Sequence, residues 1–156
     1  MLFPIISITC SHLFYALVWL RPDLVKRGDQ IIKISVGLRT IQFITMAAMM
    51  YNYSIQLTYF KSKLLVIIAG QLLNMSVYHK LGLEGVYYGS RFKKLPMVTS
   101  FPYNMVNNPQ YIGCILTQYG IVLFYPYNEM AIITTYSIMW YMATIQIEKI
   151  PMLKQV

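Results

Sequence analysis

The chain has 156 residues, of which 57% are hydrophobic and 12% are charged, and its mean hydropathy is +0.51. Soluble globular domains carry about 25% charged residues, so this composition excludes a water-soluble particle and indicates a membrane protein. The formal net charge of +8 does not indicate nucleic acid, because the basic residues lie between apolar runs, as membrane topology signals do. The length corresponds to a single domain, residues 1–156.

Three apolar runs come first in the chain. Leu2–Leu20 predicts a membrane helix that stops at Arg21-Pro22-Asp23, where a proline and two charges reach the interface. This run lacks the basic region and small-residue cleavage site of a signal peptide, so we expect it to be retained. The next two helices are expected over about Ile31–Tyr53 and Leu64–Leu83.

The last apolar run, Tyr111–Ile147, is too long for one membrane crossing. As a single helix it would measure roughly 55 Å, at 1.5 Å per residue, against a hydrocarbon core of about 30 Å. We expect it to break at Pro126-Tyr127-Asn128-Glu129 into a helical hairpin whose first arm does not have to cross completely. The fold prediction is an all-α integral membrane protein, a bundle of four to five transmembrane helices with the last two as a hairpin.

The lysines and arginines predict the orientation of this bundle. With the hairpin in place, Lys61 and Lys63 lie on one side of the membrane, and ten other basic residues lie on the opposite side: Arg21, Lys26, Arg27, Lys33, Lys80, Arg91, Lys93, Lys94, Lys149 and Lys154. The positive-inside tendency places the side with ten basic residues, and with it the C-terminus, in the cytosol.

The segment Phe101–Gly113, with the sequence FPYNMVNNPQYIG, is a polar stretch rich in Pro and Asn between apolar runs. Unsatisfied amides cost several kcal/mol each in lipid, so polar residues kept at the edge of a membrane core often bind a ligand. A plain surface loop between two helices is the alternative interpretation.

Few ionisable side chains lie within or beside the apolar runs. Glu148 ends the last helix, and it is either an interfacial residue neutralised by Lys149 or a functional carboxylate. Arg39 lies well inside the second run, where it either snorkels to the interface or binds a lipid phosphate or a buried acid. His79 is more typical of an interfacial residue than of a catalytic base.

The remaining polar residues and the cysteines limit the kinds of site and reaction that the chain can support. Cys10 and Cys114 show neither metal-ligand spacing nor a disulfide framework. We therefore expect both cysteines to be small, buried hydrophobic residues, and we predict no metal site. Gln71 and Asn74, one helical turn apart, predict hydrogen bonds between helices. The sequence contains no recognisable nucleophile–base pair or phosphate-binding loop, which argues against hydrolases and nucleotidases but is compatible with group transfer from a cofactor.

Several motifs resemble one known family. They are Leu81-Gly-x-x-Gly85, Val98-Thr-x-Phe-Pro-Tyr-Asn104, Asn108-Pro-x-Tyr-x-Gly113 and Ile147-Glu148, together with the opening helix Ile8–Tyr15. In these residues the chain resembles the small integral-membrane phospholipid N-methyltransferases, such as phosphatidylethanolamine N-methyltransferase. This group is related to the isoprenylcysteine carboxyl methyltransferases.

The resemblance implies an enzyme that uses S-adenosyl-L-methionine. Its substrates would be phosphatidylethanolamine and its mono- and dimethyl derivatives, methylated toward phosphatidylcholine in the endoplasmic reticulum membrane, with the active site facing the cytosol. Glu148 would be the catalytic carboxylate. The cofactor-binding residues implied by the family motifs are Ile68, Ala69, Gly70, Tyr103, Asn104, Asn108, Tyr111, Glu148 and Lys149.

The chain departs from the family pattern in both cofactor motifs. Ile68-Ala69-Gly70 stands where the family has Gly-x-Gly, and Glu148-Lys149 stands where it has two glutamates. These departures keep open a catalytically silent membrane scaffold of the same fold. A prenylcysteine carboxyl methyltransferase is a third reading, although that group has Arg-His-Pro where this chain has Asn107-Asn108-Pro109. The sequence leaves the oligomeric state open.

Overall fold

Helices dominate the chain, as expected from its composition. The structure is a computed structural model that describes residues 1–22, 28–89 and 98–149. Within these ranges it contains no strand and five long helices: α1 Leu2–Leu20, α2 Gly28–Met50, α3 Phe60–Glu84, α4 Pro109–Phe124 and α5 Asn128–Lys149. The prediction of an all-α membrane bundle is confirmed.

Four of the described helices, α1, α2, α3 and α5, are long and apolar enough to cross a membrane. The other helix, α4, has 16 residues, or about 24 Å at 1.5 Å per residue, and is shorter than the hydrocarbon core of about 30 Å. The chain leaves α4 at Tyr125 and enters α5 at Asn128, with Pro126 between them as a helix breaker. The predicted division into two packed helices is confirmed.

Ring contacts show which helix ends lie together. Tyr53, after α2, lies with its ring centroid 4.5 Å from that of Tyr127, and Phe60 of α3 lies 5.5 Å from Phe124 of α4. The α2–α3 connection and the α4–α5 connection therefore share one end of the bundle, which we call the turn end. The C-terminal ends of α1, α3 and α5 and the start of α4 lie at the opposite end, which we call the cavity end.

The basic residues follow this division of the bundle. Lys61 and Lys63 begin α3 at the turn end, whereas Arg21, Lys33, Lys80 and Lys149 lie toward the cavity end. The other basic residues assigned to that side lie outside the described residues: Lys26, Arg27, Arg91, Lys93, Lys94 and Lys154. The described part of the chain thus agrees with the predicted charge asymmetry, and the orientation relative to the cytosol stays a prediction.

The tightest helix contact joins α3 to α4 through small residues. A Cβ atom on Gly70 would lie 2.5 Å from Oγ1 of Thr117 and 2.6 Å from the carbonyl oxygen of Gly113. The two backbones therefore approach closely only because glycine stands at these positions, as is common where membrane helices pack.

Side-chain hydrogen bonds reinforce the same contact. The Gln71 amide donates to Oγ1 of Thr117 at 3.0 Å, and the thiol of Cys114 lies 3.6 Å from Oδ1 of Asn74. The predicted interhelical hydrogen bonds of Gln71 and Asn74 are confirmed. The expectation that both cysteines are buried is wrong. Cys10 lies on the outer side of α1, where it is exposed, and Cys114 is only partly buried.

Candidate active site

A cavity of about 410 Å³ opens at the cavity end of the bundle. Its volume falls within the range of roughly 300–1,000 Å³ that is typical of small-molecule sites. Aromatic side chains and one carboxylate dominate its wall: Tyr15, Trp19, Tyr88, Tyr103, Tyr111 and Glu148. The wall therefore combines contributions from α1, the end of α3, the segment before α4, α4 itself and α5.

Glu148 is held by two tyrosines from distant parts of the chain. The hydroxyl of Tyr15 on α1 and the hydroxyl of Tyr111 on α4 both donate to its Oε1 atom. These two phenol oxygens lie 3.4 Å from each other. Among the described residues, no group forms a hydrogen bond to the second oxygen, Oε2. The carboxylate is thus fixed in position through one oxygen, and the other oxygen can accept further hydrogen bonds.

Stacked rings form the wall beside this carboxylate. The ring centroid of Tyr15 lies 4.7 Å from that of Tyr88 and 6.0 Å from that of Trp19. Tyr88 reaches this position because α3 changes direction at Gly82, which has φ 66°, a conformation that glycine adopts without a steric penalty. Electron-rich ring faces of this kind attract cations.

The polar segment before α4 closes another side of the cavity. Its backbone is folded into turns, with the Tyr103 amide donating to the Ser100 carbonyl at 2.9 Å. Burial raises the pKa of the Tyr103 phenol, and the charge of Glu148 raises it further, so the hydroxyl stays protonated and can donate at neutral pH. The segment predicted to bind a ligand therefore lies at the cavity.

The start of α4 explains how Tyr111 meets Glu148. Asn108 adopts the left-handed conformation with φ 54°, which Asn tolerates better than most residues. Pro109 then occupies the first turn of the helix, where its missing N–H costs no hydrogen bond. Tyr111 follows within the same turn and is buried.

A polar network lies directly below the cavity, deeper in the bundle. Nη1 of Arg39 lies 3.2 Å from Nε2 of His12, 3.0 Å from Oε1 of Gln42 and 3.2 Å from the hydroxyl of Tyr141. The Tyr141 ring in turn lies 6.1 Å from the ring of Tyr111. Arg39 thus bonds inside the bundle, so the snorkelling alternative does not describe its position.

The network defines the tautomer of His12. Arginine is only a donor, so Nε2 of His12 accepts from Arg39, and Nδ1 carries the proton of the neutral ring. Nδ1 then donates to Oγ1 of Thr144 at 3.2 Å, while the Thr144 hydroxyl donates to the Trp140 carbonyl at 2.8 Å. This chain of bonds ties α1, α2 and α5 together one to two helical turns below Glu148.

The structure brings together some of the residues implied by the family motifs. Tyr103, Asn108, Tyr111 and Glu148 all line the cavity. Asn104 and Lys149 are exposed and do not line it, and the partners of Glu148 are the two tyrosines rather than Lys149.

The other cofactor motif lies in the helix contact. Ile68 and Ala69 are exposed on α3, and Gly70 is buried against α4; none of the three lines the cavity. Their assignment to cofactor binding stays a prediction.

Three aromatic residues of the cavity were not identified from the sequence: Tyr15, Trp19 and Tyr88. A signal was present for two of them, because Tyr15 and Trp19 are four residues apart at the end of α1 and therefore share one helix face. Tyr88 carried no such signal, because its orientation depends on the turn at Gly82 and on a distant helix.

The fold and the cavity define a helical membrane protein with an aromatic, carboxylate-containing site at one end of its bundle. The sequence model of a family described as phospholipid methyltransferase matches residues 61–156, which is more than half of the chain. The chain belongs to this phospholipid methyltransferase family. No solved structure matches it significantly.

Relatives of known name match shorter stretches. The chain is 43% identical over 60 residues to a phosphatidyl-N-methylethanolamine N-methyltransferase of Arabidopsis thaliana and 46% identical over 57 residues to the protein of that name in Saccharomyces cerevisiae. It is 43% identical over 49 residues to phosphatidylethanolamine N-methyltransferase A of Dictyostelium discoideum. These stretches cover 38%, 35% and 30% of this chain, and 37%, 28% and 23% of the relatives' own lengths.

Proposed function

We propose that this protein transfers methyl groups from S-adenosyl-L-methionine to the amine of phosphatidylethanolamine and of its mono- and dimethyl derivatives, toward phosphatidylcholine. The reaction would take place at the membrane interface, with the cavity end in the cytosol and the bundle in the endoplasmic reticulum membrane. Family membership and the names of the relatives support the reaction class.

The observation that carries this proposal is the fixed carboxylate of Glu148 within an aromatic cavity. Both reactants are cations, one a sulfonium and the other an ammonium. A site with one carboxylate oxygen free of protein partners and with the rings of Tyr15, Trp19 and Tyr88 in its wall suits such ligands through charge-assisted hydrogen bonds and, at ring faces that are not stacked on another ring, cation–π contacts.

The donor set also fits the polar groups of the cofactor. Oε2 of Glu148 can accept from its ammonium or ribose hydroxyl groups, and the protonated hydroxyl of Tyr103 and the amide of Asn108 line the same cavity. When bound, S-adenosyl-L-methionine supplies an activated methyl group on sulfur. Direct transfer of this methyl group from sulfur to the lipid nitrogen needs no covalent bond to the protein. The residues of the cavity therefore contribute positioning of the two reactants and exclusion of water.

The interface location follows from the solubilities of the two reactants. The cofactor is polar and reaches the cavity from water, whereas the phospholipid stays in the bilayer. The cavity end lies where the apolar helices finish and the basic residues begin. Glu148 and Tyr103 at this boundary would orient the cofactor and the lipid amine. Glu148 would stabilise the lipid ammonium, which has to lose a proton before its nitrogen can accept the methyl group.

Expression in cells that lack their own phospholipid methyltransferases tests the proposal. Membranes holding this protein should transfer radiolabelled methyl groups to ethanolamine phospholipids, and separation of mono-, di- and trimethylated products shows which step is preferred. A labelled prenylcysteine ester without labelled lipid would assign the chain to carboxyl methylation. A correctly inserted protein that labels neither substrate would be a silent scaffold.

A further inference from the structure

The feature below the cavity that the proposed function does not use is the guanidinium of Arg39. Arg39 stands at the middle of α2, about 17 Å from either end of the helix at 1.5 Å per residue. An arginine at this depth is expensive unless it is paired, and such residues usually serve a ligand or a transport path. Among the described residues, no carboxylate lies within ion-pair distance of it.

The hydrogen bonds of Arg39 are all made by one of its three nitrogens. Nη1 binds His12, Gln42 and Tyr141, whereas no described residue bonds to Nη2 or Nε. The Arg39 side chain as a whole is half-buried. Arg39 is therefore anchored on one edge, and among the described residues the other edge has no hydrogen-bond partner.

The open edge is the part of a guanidinium that recognises oxyanions. Nη2 and Nε present parallel N–H groups whose spacing matches two oxygens of a phosphate or carboxylate. The three partners of Nη1 are neutral, with His12 fixed as a neutral acceptor by Thr144. They hold the guanidinium in place without cancelling its charge, so a bound oxyanion would supply the missing countercharge.

The surroundings of Arg39 favour a lipid as the source of that oxyanion. Gln42 and Tyr141, which bind Arg39, also line a second cavity, of about 60 Å³, with the amides of Gln71 and Asn74 on its wall. This crevice, whose wall is mostly apolar with a few amide and hydroxyl groups, lies between α2 and the α3–α4 pair, whose outer surfaces are apolar and exposed, as at Phe43 and Leu72. A headgroup attached to acyl chains can enter beside such surfaces, whereas a free hydrated anion would have to leave water.

The depth of Arg39 relative to Glu148 matches the order of groups in a phospholipid. Ser35, one turn before Arg39 on α2, lies beside the hydroxyl of Tyr88 on the cavity wall, so Arg39 lies about 6 Å deeper along the helix. In an ethanolamine phospholipid the phosphate is joined to the amine by a two-carbon bridge and lies nearer the acyl chains. An amine beside Glu148 thus directs the phosphate toward Arg39.

We propose that Arg39 is the phosphate-binding residue for the lipid substrate, using Nη2 and Nε while Nη1 is anchored by His12, Gln42 and Tyr141. This inference rests on the proposed function for the identity of the lipid. Its consequence is specificity: the protein would select an amine carried by a phosphodiester over an amine carried by a neutral lipid.

Equilibrium binding to the purified full chain in detergent tests this assignment without turnover. The probes are dihexanoyl phosphatidyl-N-methylethanolamine and an amphiphile with the same amine and acyl chains but no phosphate. Tryptophan fluorescence reports binding, because Trp19 lines the cavity and Trp140 stacks on His12 at 5.7 Å. Arg39→Gln should weaken binding of the phospholipid roughly 10- to 150-fold, the value of a hydrogen bond to a charged group, and leave the phosphate-free probe unchanged.

Two further variants make the result specific. Arg39→Lys keeps the charge but not the two-pronged donor, so it should retain part of the preference for phosphate. Lys33→Gln removes a positive charge from the exposed face of the same helix and should bind both probes as the wild type does. Inorganic phosphate should not compete with the phospholipid.

Three results would overturn the assignment. They are equal losses for both probes in Arg39→Gln, as a purely structural arginine would cause; unchanged phospholipid binding in that variant; and effective competition by inorganic phosphate, which would indicate a site for soluble anions. Failure of the proposed function is distinguishable, because a protein that binds the phospholipid through Arg39 but transfers no methyl group refutes the reaction and keeps the phosphate site.

Discussion

Tyr15 and Glu148 lie 133 positions apart in the chain, and yet the phenol of the first helix donates a hydrogen bond to the carboxylate at the end of the last. Together with Tyr111, this pair closes the cavity end of the bundle around one fixed charge. The geometry links folding to chemistry, since the carboxylate is positioned only when α1, α4 and α5 have assembled.

The first prediction concerns the two tyrosine donors. Tyr111→Phe removes one hydrogen bond to Oε1 and leaves the ring in place, so cofactor binding should weaken by about 2- to 12-fold, the value of about 0.5–1.5 kcal/mol for one net hydrogen bond. Tyr15→Phe should behave alike. Titration of the purified variants with S-adenosyl-L-methionine measures both effects.

A matched control and a double variant complete this test. Tyr119→Phe removes an exposed hydroxyl from the same helix and should bind normally. In a Glu148→Gln background, Tyr111→Phe should cost much less than it does alone, because the two residues act through one interaction. Independent, additive losses would show that Tyr111 does not act through Glu148.

A second prediction separates packing from ligand binding at Gly70. Gly70→Ala places a methyl group 2.6 Å from the Gly113 carbonyl oxygen, and backbone atoms at that distance have to move. We expect a loss of about 1–3 kcal/mol in the free energy of unfolding, the usual cost of overpacking, measured as a lower unfolding temperature in detergent. Gly37→Ala is the control, because nothing lies within 4 Å of its added Cβ. Weaker cofactor binding at normal stability would instead place Gly70 in the site.

The third prediction concerns topology. Single cysteines at Asn107 and Lys149, in a chain whose Cys10 and Cys114 are replaced by alanine, should react with a membrane-impermeant reagent from the same side of sealed vesicles. A cysteine at Lys61 should react from the other side, because the start of α3 lies at the turn end. Labelling of Asn107 and Lys149 from opposite sides would contradict the α4–α5 hairpin.

Much of the fold could be predicted because it depends on local signals. Run length and Pro126 predict where α4 ends and α5 begins, and the distribution of Lys and Arg predicts which helix ends share a side. The polar segment Phe101–Gly113 is also a local signal: polar residues at the edge of an apolar run need partners, which predicts that the segment contributes to a site.

The rest of the site depends on contacts between distant residues. Nothing near Tyr15 in the sequence indicates Glu148, and the position of Tyr88 depends on positive φ angles at both Gly82 and Tyr88 itself. Gly70 stands at the second glycine position of a family cofactor motif and packs against α4, and the sequence does not separate these two roles, because a small residue serves close packing and close ligand approach equally well. The position of Arg39 in the middle of an apolar run marks it as unusual. Its neutral partners could not be predicted, because they come from three different helices.

We propose that the cavity binds S-adenosyl-L-methionine through Glu148. The most direct measurement is equilibrium binding of this cofactor to purified wild type, Glu148→Gln and Glu129→Gln. Glu148→Gln keeps the shape and removes the charge, so affinity should fall roughly 10- to 150-fold while the protein still inserts. Glu129, which is exposed in the first turn of α5 at the turn end, should tolerate the same change. Equal affinity in all three proteins would show that the cofactor binds elsewhere and not through Glu148.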